Sequence, residues 1–256
     1  MTAAALGSVT TSIADGIATI EFAHPAHNAM PSDQLARLTA AIQTLAANDA
    51  ARVIVLKSAG ERTFCAGASF DELAAISDQK SGTRFFMGFA NVINAMRQCP
   101  KFIIGRIQGK AVGGGVGLAA GTDYCIATHF ATVKLSELAV GIGPFVVGPA
   151  VERKIGMSAF QQLAINATEW QTAEWAKEKG LYQEVFPTIE QMDAFIEHLA
   201  AKLANSNPAA MRQLKQICWA GTEHWDALLS ARAAISGELV LSDFTKKAII
   251  AFKQKT

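Results

Sequence analysis

The stretch FIIGRIQGKAVGGGVGLAAGTDYCIA, residues 102–127, decides the fold. Phe102 to Ile107 is a short apolar run rich in β-branched residues and reads as a buried strand, and the glycines at 113–117 open a helix. A second apolar run, Tyr124 to Ala127, follows. Strand, helix, strand at this spacing predicts a parallel βαβ crossover. Glycines at the passage from strand to helix let a ligand approach the peptide plane, with the amides of a helix N-terminus facing it. No acidic residue enters this helix before Asp123.

The same grammar extends in both directions. Val9 to Thr11 and Ile17 to Phe22 predict a hairpin around Asp15-Gly16. Ser32 is the predicted N-cap of an amphipathic helix carrying Leu35, Leu38, Ile42 and Leu45, and Val53 to Leu56 is the next strand, ended by Gly60. A helix from Thr83 to Arg97 runs towards Pro100. Further strands are expected at Thr132 to Leu135 and Tyr182 to Phe186. Helices are expected over 157–164, 172–179, 188–204, 208–219, 223–236 and 241–253. The fold class is α/β, with a catalytic core over 1–195 and a helical region over 196–256. No internal repeat and no low-complexity linker is present.

Composition narrows the classes of function. Half of the 256 residues are apolar and 18% are charged, which suits a buried core. A net charge of +1 without blocks of like charge argues against nucleic acid or an acidic lipid surface as a partner. The N-terminus lacks the pattern of a secretory signal, and no apolar run reaches the length of a membrane span, so a bacterial-type cytoplasm or an organelle matrix is expected. Cys65, Cys99, Cys125 and Cys218 are dispersed, and His24, His27 and His129 lack ligand spacing, so no metal site is expected. His198 and His224 read as solvated, and the four tryptophans as packing in the helical region or between subunits. Asp71, Glu72 and Glu169 read as capping or surface acids.

Two further segments carry chemistry. In TFCAGASFDEL, residues 63–73, a turn of small residues around Gly67 precedes a helix and presents the amides of Ala68 and Ser69. In VKLSELAVGIGP, residues 133–144, Glu137 stands in an apolar setting that raises its pKa and suits it to proton transfer. Two amides from separate loops, each backed by a helix N-terminus, meet the physical requirement of an oxyanion hole.

TFCAGASFDEL, IQGKAVGGGVGLAAGTDYCIA and KLSELAVGIGP resemble, in order and separation, the three signatures of the crotonase (enoyl-CoA hydratase/isomerase) family. HNAM at 27–30, ATEWQTAEWAKEKGLYQEVF after the core and a helix ending in Phe252-Lys253 extend the likeness over nearly the whole chain. The resemblance implies a ββα spiral core, a C-terminal helical trimerisation region, and a homotrimer or homohexamer. It implies an acyl-CoA thioester substrate, with coenzyme A part of the substrate and no separate cofactor. The oxyanion donors would be Ala68 and Gly114, and Glu137 the acid/base. Ala66, Ser69, Phe70, Asp71, Gly113 and Gly117 would line the acyl-CoA path, with Lys101 and Lys253 as candidates for its phosphates.

One position departs from the family pattern. Typical hydratases carry a glutamate where this chain has Gly117, so a mechanism with two carboxylates does not carry over. The wording around AGAS and ELAVGIGPFVVGP resembles hydratases of branched-chain acyl-CoA breakdown, of the methylglutaconyl-CoA type, and makes hydration of a 2-enoyl-CoA the leading expectation. A 3-enoyl to 2-enoyl isomerase working through Glu137 alone is the alternative. Phe145, where some dienoyl-CoA isomerases carry an acid, disfavours that activity. From another class, Gly115-x-Gly117-x-x-Ala120 with Glu137 downstream fits a loose dinucleotide-binding fingerprint, against the two short strands that intervene. A catalytically idle scaffold that binds CoA esters is the third alternative.

Overall fold

The computed structural model describes residues 7–253. The opening hairpin pairs β1 (Ser8–Ala14) with β2 (Ile17–Ala23), and Asp15 and Gly16 both take positive φ at its turn. After α1 (Ser32–Ala47), the chain repeats a unit in which a strand of the main sheet leads directly into a short strand of a second sheet. β3 (Val53–Ser58) leads into β4 (Thr63–Cys65), β5 (Ile103–Ile107) into β6 (Lys110–Val112), and β7 (Tyr124–Thr128) into β8 (Val133–Lys134). Helices α2 (Phe70–Ala75), α3 (Gln79–Gln98) and α4 (Gly114–Gly121) follow the first two units. The main sheet, completed by β9 (Glu184–Phe186), runs β1-β2-β3-β5-β7-β9, and the small one runs β4-β6-β8. All pairs except β1–β2 are parallel. This is the ββα spiral that the sequence resemblance implies.

The two faces of the main sheet bury different partners because strand side chains alternate. Ile54, Leu56, Ile107 and Ala127 join the large core with Leu35, Leu38, Phe89 and Ile93 of α1 and α3. Val53, Val55, Ile104 and Ile126 pack against α7 (Ile189–Ala204) through Met192, Ile196 and Ala200. The chain is completed by α5 (Gly148–Ile165), α6 (Ala173–Glu178), α8 (Pro208–Cys218), α9 (Trp225–Leu239) and α10 (Asp243–Lys253). Helix α9 lies along α3, and the crossing is close because Gly82 meets Gly237: a Cβ on Gly82 would lie 2.8 Å from the Gly237 carbonyl.

Several local expectations change. The N-cap of α1 is Pro31 without a side-chain cap, and Ser32 instead donates through its amide and its hydroxyl to Glu72 of α2, each at 2.8 Å. Glu72 therefore ties two helices together rather than serving as a surface acid. Helix α3 starts four residues before Thr83, where Asp78 and Ser81 form a capping box. The helix expected at 157–164 is the second half of α5, which is broken at Gly156 by a φ of 74° and preceded by a first half that begins at Gly148. Strand β8 is shorter than 132–135. Trp170 does not pack in the helical region; Lys110 and Lys134 stand over its exposed ring. The division at 195/196 falls inside α7, a continuous helix seated on the sheet.

Candidate active site

The spiral brings the carboxyl ends of β4, β6 and β8 side by side, and the loops leaving them form one cleft. Its walls include Ala66, Gly67, Ala68 and Phe70 from the first loop, Gly113 and Gly114 from the second, and Ser136 and Glu137 from the third. Phe86 and Phe89 of α3, Phe145, Val147 and Ser236 of α9 close it. The cleft is narrow, with a cavity of about 60 Å³, and apart from Glu137 and the two serines its side chains are apolar.

Backbone contacts draw the loops together. The Gly113 amide donates to the Lys134 carbonyl at 2.8 Å, which holds the glycine loop against the strand leading to Glu137. The Met30 amide donates to the Gly67 carbonyl at 2.8 Å and anchors the first loop. Gly67, at φ 86°, lies so near the second loop that a Cβ would stand 2.7 Å from the Val112 carbonyl. Gly113, at φ 51°, faces Glu137: a Cβ there would stand 2.9 Å from Glu137 Oε1. Gly114 begins α4 under the Phe89 ring, which occupies the place its Cβ would take. These glycines are dictated by close approach as well as by backbone conformation. Among the described residues, neither the Ala68 nor the Gly114 amide has an acceptor within the chain. Unpaired N–H groups flanking one cleft are poised for an oxygen that the protein itself does not supply.

Glu137 follows β8 with helical φ and ψ and begins the 3-10 turn Leu138–Val140, which its own carbonyl closes by accepting from the amides of Val140 and Ile142. Its side chain points into the cleft, with Oε2 buried and without a hydrogen-bond partner. Burial pushes the carboxyl from 4.5 up to about 7. Cys65, at the edge of the first loop, is no nucleophile, because burial pushes its thiol up to about 12.

The structure gathers Ala66, Ala68, Phe70, Gly113, Gly114 and Glu137 and leaves other expected residues outside the cleft. Ser69 accepts from the Glu72 amide and caps α2, beside Asp71 in that helix's first turn. Lys101 lies at the amino end of β5, away from the glycine loop, where its ammonium donates to the carbonyls of Leu45 and Asn48. Lys101, a candidate for the phosphates of coenzyme A, is thus tied to the end of α1 and does not line the cleft. Lys253 ends α10, and its side chain lies outside the described residues. Its neighbour Phe252 stacks on Phe70, with ring centroids 4.1 Å apart, so α10 does reach the rim.

Gly117 lies one turn into α4, behind the wall. A Cβ there would be 2.6 Å from the Val147 Cβ, so the room for a side chain at this position is taken by Val147. The sequence did not mark Val147, Phe86, Phe89 or Ser236 as site residues. Each lies on an element remote in the chain from the glycine loops, and no local pattern separates it from ordinary core. The dinucleotide reading fails in context: β7 and β8, which follow α4, enter different sheets, and α4 is buried on every side.

Known proteins share this fold and much of the sequence. The sequence model of the enoyl-CoA hydratase/isomerase family matches residues 12–256. The mitochondrial methylglutaconyl-CoA hydratase of Mus musculus is 30% identical over 89% of this chain and 74% of its own. The peroxisomal Δ(3,5)-Δ(2,4)-dienoyl-CoA isomerase of Arabidopsis thaliana is 27% identical over 90% of this chain and 87% of its own. Among solved structures, the enoyl-CoA hydratase of Bacillus halodurans shares the fold with a TM-score of 0.87 at 21% identity, covering 95% of this chain and 99% of that one. By sequence over nearly its whole length, the chain belongs to the enoyl-CoA hydratase/isomerase family of enzymes.

Proposed function

We propose that the protein moves a proton beside the thioester of an enoyl-CoA, and that double-bond isomerisation from 3-enoyl to 2-enoyl is its main reaction. One observation carries this reading: among the described residues Glu137 is the only acid lining the cleft, and Val147 takes the room for a side chain at Gly117. Isomerisation needs a single base. Glu137 takes the proton from C2, the thioester becomes a dienolate, and the same carboxyl returns the proton at C4. Hydration also needs a water to be deprotonated while C2 is protonated, a division of labour that suits two carboxylates. A carboxyl near 7 ionises close to neutral pH and gives the proton back readily.

The charge that builds on the thioester oxygen is met by the amides of Ala68 and Gly114, each backed by a helix. Such a donor stabilises a transition state by about 3 kcal/mol. The apolar walls exclude water and strengthen that interaction. Trimeric or hexameric assembly and the phosphate contacts of coenzyme A belong to the same proposal and follow from the family resemblance.

Hydration is the second reading, favoured by Ser136, a polar residue beside Glu137 in the cleft wall that can help to hold a water. A panel of 3-enoyl and 2-enoyl CoA esters separates the two. Isomerisation raises the absorbance of the conjugated thioester from 3-hexenoyl-CoA without a change of mass. Hydration removes that absorbance from 2-hexenoyl-CoA and adds the mass of water. Inertness towards every chain length in both series would leave only an idle CoA-ester scaffold.

A further inference from the structure

A second cavity opens at the amino ends of β5 and β7, the opposite end of these strands from the glycine loop. Its volume of about 620 Å³ is in the range of small-molecule sites. Leu199 and Leu203 of α7, Leu214 of α8 and Trp219 just after it supply much of its apolar wall, and Arg153 and Lys154 of α5 its charge. It shares no residue with the cleft around Glu137.

The charges in this wall do not balance. Its one acid, Asp123, is fully engaged: Oδ2 accepts from Lys215 at 2.8 Å and from the Ile103 amide at 2.7 Å, and Oδ1 accepts from Trp219 Nε1 at 2.7 Å. Arg153 lies over the Trp219 ring, 5.6 Å from its centroid, and donates to the Cys218 carbonyl. Lys154 donates to the Asp123 carbonyl at 3.1 Å. Among the described residues, neither cation forms an ion pair with a carboxylate. Burial holds Lys154 below its ordinary value, and the charge of Asp123 opposes that shift. An apolar hollow flanked by two unmatched cations is complementary to a molecule with an alkyl body and a negative head.

We infer that this second cavity binds an amphipathic anion, an alkyl chain lying against Leu199, Leu203 and Leu214 with its carboxylate or phosphate head between Arg153 and Lys154. The inference does not depend on which reaction Glu137 performs. A free carboxylic acid and an alkyl phosphate present the same chemistry, and the two heads can be compared directly.

The cavity contains its own reporter. Cys218 lines it and is the one exposed cysteine of the four. The rate at which iodoacetamide alkylates Cys218 in the full-length protein therefore reads occupancy. Decanoate below its micelle-forming concentration is expected to slow alkylation saturably, while decanol at equal concentration does not. Decyl phosphate in place of decanoate shows which head is preferred. Replacing both cations, Arg153→Gln with Lys154→Gln, is expected to raise the half-protecting concentration of the better amphiphile at least tenfold. Leu203→Trp, which fills the hollow, should abolish protection, with circular dichroism checking its fold. Glu137→Gln should leave protection intact. Failure of both amphiphiles to protect, equal protection by decanol, or an unchanged half-protecting concentration in the double variant overturns the inference. Protection that instead follows protein concentration, together with faster sedimentation, would mean that a second copy covers this face, and would overturn it too.

Discussion

Asp123 and Glu137 both hold carboxylate oxygens away from water, and the chain treats them in opposite ways. Asp123, at the amino end of β7, accepts from Lys215, Trp219 and the Ile103 amide, and its partner Lys215 is 2% exposed. Glu137, beyond the carboxyl end of β8, has a buried Oε2 that nothing satisfies. A buried charge with a full set of donors is structural, because its desolvation is offset where it stands. A buried carboxyl with an oxygen left unsatisfied costs stability, and such costs concentrate where chemistry is done. The contrast separates the two acids without reference to any relative.

Breaking each acid in turn tests the contrast, and the largest effect belongs to Glu137. Glu137→Gln keeps the volume and removes the base. Turnover of the preferred enoyl-CoA should fall by about 10² to 10⁴, the usual worth of general acid–base assistance, while the Kd for a non-reactive acyl-CoA stays within a few-fold. Steady-state kinetics beside calorimetric titration checks both halves, and wild-type turnover in the variant would remove Glu137 from the mechanism. The next effect is on folding. Asp123→Asn leaves the Lys215 ammonium buried without its counter-charge, and should destabilise the protein by about 3 to 5 kcal/mol in urea titration. The kcat per folded molecule should hold, since Asp123 lies outside the catalytic cleft.

The sequence made the framework readable and much of the site, but not the contacts between remote elements. The parallel crossovers follow from apolar runs alternating with amphipathic helices, and the register of β3 on β5 needs no more than their matched apolar length. The small sheet was less legible: β4, β6 and β8 have only two or three residues each, too few for a period to show. Gly67, Gly113 and Gly114 were legible because close approach writes itself as glycine. Val147 was not, because a valine before a helix looks the same whether it fills a vacancy at Gly117 or simply packs. Asp123 was legible only as the first acid after the glycine helix. Its engagement by α8 depends on Lys215 and Trp219, about ninety residues later in the chain.

The smallest of these effects is the most direct measure of how far Glu137 is left unsatisfied. Its carboxyl sits near 7 in the folded protein and has an ordinary value of 4.5. Below pH 4.5 it is neutral in both states, so the folded protein bears no penalty. As pH rises from 4.5 towards 7, the unfolded chain ionises freely while the folded one resists, and stability falls; above about 7 both states are ionised and the loss is complete. At 1.36 kcal/mol for each pH unit of separation, the full loss is about 3 kcal/mol. Glu137→Gln has nothing to ionise, so the difference in unfolding free energy between variant and wild type should grow with pH across this window and then level off. Denaturant titrations at pH 5, 6, 7 and 8 read that difference directly. A difference that does not change with pH would mean that the carboxyl finds donors in solution, and that the distinction between the two buried acids is one of position alone.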